Sequence, residues 1–154
     1  MLIESDLIIA YMKKEDRLKD TATAIFKAIE EGRLTNVQAS SEVLHELYYV
    51  FSEYAPLKVI LANEARLASM QNMSFIDPTR ETYLSALNLM ETYGIKSVFD
   101  AIYAATTLTD RVPDHTILST DEIHGKVKGI ERIDPRTLRV RTTTRQVRRS
   151  QRRE

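Results

Sequence analysis

The sequence predicts an α/β domain with a parallel sheet, and three observations lead there. Short apolar segments of strand length alternate with amphipathic helical stretches along the body of the chain, the pattern that yields parallel strands joined by right-handed helical crossovers. Two of those segments, Leu2–Ile3 and 114–118, run directly into hydroxyl residues and acids: Glu4-Ser5-Asp6 after the first, Ser119-Thr120-Asp121 after the second. The stretch GIKSVFDAIYAATTL, Gly94 to Leu108, reads as a helix apolar on most sides that carries one carboxylate, Asp100, in its first turn.

Taken in order, Leu2 and Ile3 form a strand, and Leu7 to Met12 continues as an apolar helix. The periodic Leu18, Ala22, Ile25, Phe26 and Ile29 predict a helix over about 16–31 that stops at Gly32. Leu34 to Ala39 reads as a strand diluted by Asn36 and Gln38. Ser40 or Ser41 then caps a helix reaching about Tyr54, with Val43, Leu44, Leu47, Tyr48 and Phe51 inward. After Pro56, Leu57 to Met70 resumes the helical pattern and completes a hairpin. Ser74 to Ile76 gives a strand. Asp77-Pro78 reads as a cap with proline at the first helical position, and the helix closes at Gly94. Ser97 caps the helix that carries Asp100, and Gly129 to Ile133 supplies a last strand before Pro135.

Composition narrows the chemistry. The chain has 154 residues, one domain's worth, and no cysteine, so disulfides, cysteine-ligated zinc, iron-sulfur clusters and a thiolate nucleophile are excluded. With no long apolar run and no signal-peptide pattern, the protein is expected to be soluble and cytoplasmic, with no membrane partner. The formal net charge of zero hides an asymmetry. Eight arginines and one acid lie from Arg136 onward, against 14 basic and 21 acidic residues in the first 135. Residues 1–135 are therefore read as the domain and 136–154 as a basic tail, expected to be flexible or to order on a partner. An acidic body is no broad nucleic-acid surface, so contact with phosphates needs a metal ion, a local basic patch or the tail.

In a parallel sheet, ligands bind outside the carboxyl ends of the strands. Glu4 and Asp121 both follow such ends. Glu46, in SSEVLHELYYV, sits at the edge of a buried helix face, and Asp100 sits at a helix start. For Asp100 alone, stabilisation of the helix dipole is an equal reading. Four converging carboxylates would repel one another, and a divalent cation with a preference for oxygen ligands, Mg²⁺ or Mn²⁺, relieves that repulsion. Such an ion can polarise a phosphodiester and activate water, so hydrolysis needs no protein nucleophile.

The order and wording of these motifs resemble the PIN-domain family, in particular its VapC-type ribonuclease toxins. IESDLIIAYM is similar to the family's opening acid motif, with Glu4 where aspartate is usual. EVLHEL supplies Glu46, FDAIYAAT resembles the D-A-hydrophobic-x-A-A segment around Asp100, and ILSTDEIH supplies Asp121. The resemblance spans residues 2 to 135. It implies a three-layer α/β/α fold with a central parallel sheet, a Mg²⁺ or Mn²⁺ site formed by Glu4, Glu46, Asp100 and Asp121, endonucleolytic cleavage of single-stranded RNA, a homodimer and a cognate antitoxin. Glu4 adds a methylene to the family pattern, and Asp6 is an alternative ligand or the cap of the following helix.

The remaining candidates are weaker. His45, His115 and His124 fit no imidazole motif and read as partly exposed or helix-face residues. The glycines match no phosphate-binding or dinucleotide fingerprint. Ser5, Ser119 and Thr120 read equally as hydroxyls supporting the acids or as local caps. Lys13, Lys14, Lys126 and Lys128 read as a solvated face before a phosphate path, and the tyrosines as packing residues. A second function class stays open: a catalytically weak member of the family that binds RNA or a protein through the arginine tail. Cleavage of structured DNA is a third.

Overall fold

The computed structural model describes residues 1–139. Five parallel strands, β1 (Leu2–Ile3), β2 (Val37–Ser40), β3 (Met73–Ile76), β4 (Thr116–Leu118) and β5 (Glu131–Ile133), form one sheet in the order β3-β2-β1-β4-β5. Six helices cover its faces: α1 (Ser5–Met12), α2 (Lys19–Glu30), α3 (Glu42–Phe51), α4 (Leu57–Ala68), α5 (Arg80–Tyr93) and α6 (Val98–Thr107). The result is the expected three-layer α/β/α arrangement. Among the described residues no helix is long and apolar enough to cross a membrane.

Strand alternation divides the core. Ile3 points to the face where Leu7, Ile8, Ile25, Phe26, Val43, Leu47 and Leu67 of α1 to α4 are buried together. Leu2 points to the opposite face and packs with Tyr103 of α6 and Ile117 of β4. Ala86 and Leu89 of α5 complete that layer against Ala101, Ile102, Ala104 and Ala105 of α6. Each fully buried aliphatic side chain contributes about 1.5–3 kcal/mol. The 2-residue β1 is thus held from both faces as well as by β2 and β4.

Several boundaries move for local reasons. α2 begins at Lys19, whose ammonium bonds the carbonyls of Tyr11 and Lys13 and holds the preceding loop against the helix start. β2 starts at Val37, because Asn36 takes a positive φ of 57° and makes a corner where strand was expected. The cap of α5 is Thr79 and not Asp77-Pro78. Its hydroxyl accepts from the Thr82 amide at 3.3 Å while the Thr82 hydroxyl accepts from the Thr79 amide, a reciprocal pair that satisfies two otherwise unpaired donors. Gly94, at φ 70°, ends α5 as expected, and the Ser97 hydroxyl caps α6 through the amide of Asp100. Within α6, Thr106 and Thr107 turn their hydroxyls back onto the carbonyls of Ile102 and Tyr103. This lets polar residues lie fully buried.

The chain after β5 makes a 3₁₀ turn at Pro135–Thr137, where Arg136 pairs with Asp134, and Leu138 packs on the core beside α1 and α2. Most of the basic tail read from the sequence, residues 140–154, lies outside the described residues.

Candidate metal centre

The sheet order creates a switch point. From β1 the chain first adds β2 and β3 to one side, then returns to place β4 and β5 on the other, so the ends of β1 and β4 lie side by side with a crevice above them. Glu4 leaves β1 there and Ser119 to Asp121 leave β4. The Asp6 carboxylate ties the two ends together, accepting from the Thr120 amide at 2.8 Å and from the Thr120 hydroxyl. Its other oxygen accepts from the Leu7 amide at 2.7 Å. Both Asp6 oxygens are thus engaged in holding backbone, and the position capping α1 is Glu4, which makes no side-chain cap bond.

All four acids singled out in the sequence line this crevice, a cleft of ≈ 650 Å³ that Asp6, Arg17, Thr120, Glu122 and Arg136 also border. They are graded in depth. Glu4 is buried at 4% exposure, and one carboxylate oxygen accepts from Ser5 and the other from Ser119, each at 2.8 Å. Asp100 and Glu46 are half-buried, and Asp121 lies at the rim. The Tyr103 hydroxyl, buried beneath the site, donates to a Glu46 oxygen. Asp121 uses one oxygen to accept from the Ile123 amide at 2.9 Å and orders the 3₁₀ turn Glu122–Lys126. The Ser119 hydroxyl, besides donating to Glu4, accepts from the Asp121 amide and so links the two acids.

Among the described residues the cleft carries an excess of negative charge, with Arg17 and Arg136 as its bordering cations. Burial pushes the Glu4 carboxyl well above the ordinary carboxylate range, with Asp6 and Asp100 adding to the rise and the two serine hydroxyls opposing it. Asp100 is raised to about 6, first by burial and then by Asp121 and Glu46, against the Ser97 bond. Tyr103 is raised above its usual value by burial and by the Glu46 carboxylate, so it remains a donor. Two carboxylates whose charged forms are disfavoured by burial and by each other, side by side in one cleft, fit a divalent cation with oxygen ligands.

One residue departs from the reading of the sequence. His124 is not a partly exposed histidine but fully buried, in the 3₁₀ turn below Asp121. One of its ring nitrogens and one oxygen each from Glu4 and Asp100 all lie within 4.8 Å of one another. Burial pushes its imidazole below the usual value, against the pull of Asp121 and Asp6, so the ring is neutral at pH 7. The basic residues at the cleft are also different from those considered. Arg17 and Arg136 border it, whereas Lys14, Lys126 and Lys128 are exposed elsewhere.

The fold and site together define an α/β protein with a doubly flanked parallel sheet whose acids converge outside the strand ends at the β1/β4 switch point, where they could hold a cation. The chain belongs to the PIN domain family, whose model matches residues 1–130. It is similar in structure to the Mycobacterium tuberculosis toxin VapC20, described as cleaving the sarcin-ricin loop. The TM-score is 0.64 at 16% identity, over 80% of this chain and 92% of the other. VapBC2 from Rickettsia felis, bound to a DNA fragment from its promoter, matches with TM-score 0.63 and 15% identity over 86% and 96% of the two chains. FitAcB from Neisseria gonorrhoeae matches with TM-score 0.58 and 17% identity over 89% and 99%. No curated protein is significantly similar to this chain in sequence.

Proposed function

We propose that the chain is a metal-dependent endoribonuclease that hydrolyses phosphodiester bonds in single-stranded RNA and serves as the toxin of a toxin-antitoxin pair. The observation that carries this reading is the convergence of Glu4, Glu46, Asp100 and Asp121 on one cleft at the switch point of a PIN domain. Glu4 and Asp100 hold a Mg²⁺ or Mn²⁺ ion, and Asp121 completes the site directly or through water. The bound ion supplies a polarised phosphodiester and an activated water. Glu46, held by the Tyr103 hydroxyl, orients the attacking water or a second ion. Arg17 and Arg136, which border the cleft, offer guanidinium groups to the RNA phosphates.

The partner assignments rest on the same reading. The toxin complexes among the structural neighbours support a cognate antitoxin. Tyr49 and Tyr54 around the end of α3, Leu61 of α4 and Leu84 and Leu87 of α5 are each more than half exposed, which supports a homodimer through an apolar face.

The test follows thermal stability and cleavage of a mixed-sequence single-stranded RNA while Mg²⁺ or Mn²⁺ is titrated. An ion that binds the folded state stabilises it by about 2.7 kcal/mol at a hundred times its dissociation constant. The expected result is a concentration-dependent rise in Tm, with cleavage that chelator abolishes. A protein that neither responds to the ions nor cuts RNA overturns the reading.

Tyr103→Phe probes how Glu46 is held. The ring stays in the core and only the donor to Glu46 is lost, so kcat should fall by about tenfold, the lower end of what outer partners of metal sites contribute. KM for RNA should stay within about twofold, since the ring contacts no phosphate. A Tyr103→Phe protein with unchanged kcat shows that Glu46 needs no such anchor.

A further inference from the structure

We propose that His124 is a nitrogen ligand of the ion held by Glu4 and Asp100, and that this donor set favours Mn²⁺ and Co²⁺ over Mg²⁺. The inference rests on the reading of the cleft as a divalent-ion site and specifies which ion the site takes.

His124 is 0% exposed, yet neither Nδ1 nor Nε2 has a hydrogen-bond partner among the described residues. A buried imidazole left without partners loses its hydration and regains nothing. That costs about 1–3 kcal/mol, so nearly all buried polar groups are paired. The surroundings of the ring explain the exception. A ring nitrogen, a Glu4 oxygen and an Asp100 oxygen come from three different elements and are mutually within 4.8 Å. Ligands each about 2.1 Å from one ion stand about 3.0 Å apart when adjacent and about 4.2 Å when opposite. Side-chain movements of about 1 Å therefore bring all three onto one ion.

The supporting contacts favour this geometry. Both Glu4 oxygens are aimed by Ser5 and Ser119, and the turn that carries His124 is fixed by the Asp121 carboxylate through the Ile123 amide. Two carboxylates alone form a hard site in which Mg²⁺ competes well. An imidazole is a softer donor that Mg²⁺ binds poorly, and affinity at a mixed nitrogen-oxygen site rises from Mn²⁺ towards Co²⁺. One buried nitrogen is thus enough to change the metal preference without changing the fold.

The experiment uses the full chain and its His124→Phe and Asp100→Asn variants. Mn²⁺ bound to wild type is examined by pulsed electron paramagnetic resonance for coupling to ¹⁴N, and Co²⁺ and Mg²⁺ affinities are measured by calorimetry without RNA. The expected wild-type spectrum carries a ¹⁴N coupling that becomes a ¹⁵N coupling when the histidines are ¹⁵N-labelled. That readout needs no variant, so it stands even if His124→Phe does not fold. In His124→Phe the coupling disappears and Co²⁺ binding weakens at least about tenfold, as expected when a ligand is lost, while Mg²⁺ binding changes by less than about threefold. Absence of nitrogen coupling in wild type, or equal changes in Co²⁺ and Mg²⁺ affinity, overturns the role of His124. If Mg²⁺ or Mn²⁺ still binds wild type and not Asp100→Asn in that case, the metal-dependent reading survives. Failure of every ion to bind wild type overturns both.

Discussion

Asp100→Asn is expected to cut RNA at least about a thousandfold more slowly than wild type, because loss of the ion's charge stabilisation removes several kcal/mol from the transition state. In chelator the same variant is expected to be the more stable protein. Asp100 titrates near 6 in the folded state against 3.8 for the ordinary side chain, because burial and the nearby Asp121 and Glu46 disfavour its charge. Its sign is the reverse of the usual carboxylate. Below about pH 3 the group is protonated in folded and unfolded chains alike and costs nothing. As pH rises from about 4 to 6 the unfolded chain releases the proton first, and stability is lost through that window. A rise from 3.8 to about 6 corresponds to roughly 3 kcal/mol, and partial solvent access reduces this to about 1–2 kcal/mol.

The stability gain of Asp100→Asn over wild type should therefore be near zero at about pH 3 and complete above about pH 7. Urea melts across that range, in chelator, measure it directly. The difference between the two proteins contains Asp100 together with its coupling to the neighbouring Glu4 and His124. A saturating divalent ion should reverse the order and make wild type the more stable protein. An Asp100→Asn protein that cleaves at the wild-type rate, or whose stability tracks wild type at every pH, removes Asp100 from the site.

What the sequence revealed depended on how local each signal is. The cap of α6 by Ser97 and the stop of α5 at Gly94 are decided within a few residues, and both formed as expected. The acids at the ends of β1 and β4 were legible because strand ends of a parallel sheet share one edge, a rule that needs no coordinates. The cap of α5 was misplaced because Thr79-x-x-Thr82 competes with Asp77-Pro78 for the same role, and the reciprocal threonine pair satisfies two donors where the proline satisfies none. His124 was hidden for a different reason. Its neighbours Glu122, Gly125 and Lys126 are exposed, so nothing in the local pattern marks the position as buried. Its burial comes from the turn folding back under Asp121 beside α6. The same holds for the Tyr103 bond to Glu46, which spans 57 residues, and for the Asp6 bond to Thr120, which spans 114. Those contacts exist only once β1, β4, α3 and α6 are assembled.

The depth of Glu4 gives the second large effect. Glu4→Gln is expected to lose cleavage by on the order of a hundredfold or more, since an ion ligand becomes a neutral amide. Its fold should survive in chelator, because the amide keeps the length that reaches the Ser5 and Ser119 hydroxyls and removes a buried charge that Asp6 and Asp100 oppose. Glu4→Asp keeps the charge, yet it is expected to be the worse folded of the two. Retraction by one methylene draws the carboxylate back by about 1.5 Å. Ser119 then loses its acceptor across the β1/β4 junction in a buried position, at a cost of about 1–3 kcal/mol, and the carboxylate keeps its buried charge with less to stabilise it. The expected order of stability in chelator is Glu4→Gln, then wild type, then Glu4→Asp, read from urea midpoints at pH 7. Only Glu4→Asp should recover cleavage when Mn²⁺ is raised, because it still offers a carboxylate to the ion. Full stability and full activity in Glu4→Asp would show that the two serines do not set the reach of this acid. In that case the extra methylene at position 4 has no structural consequence. The predicted order would show instead that the longer acid and its two hydroxyl donors form one matched unit, positioned together at the junction of the two strands.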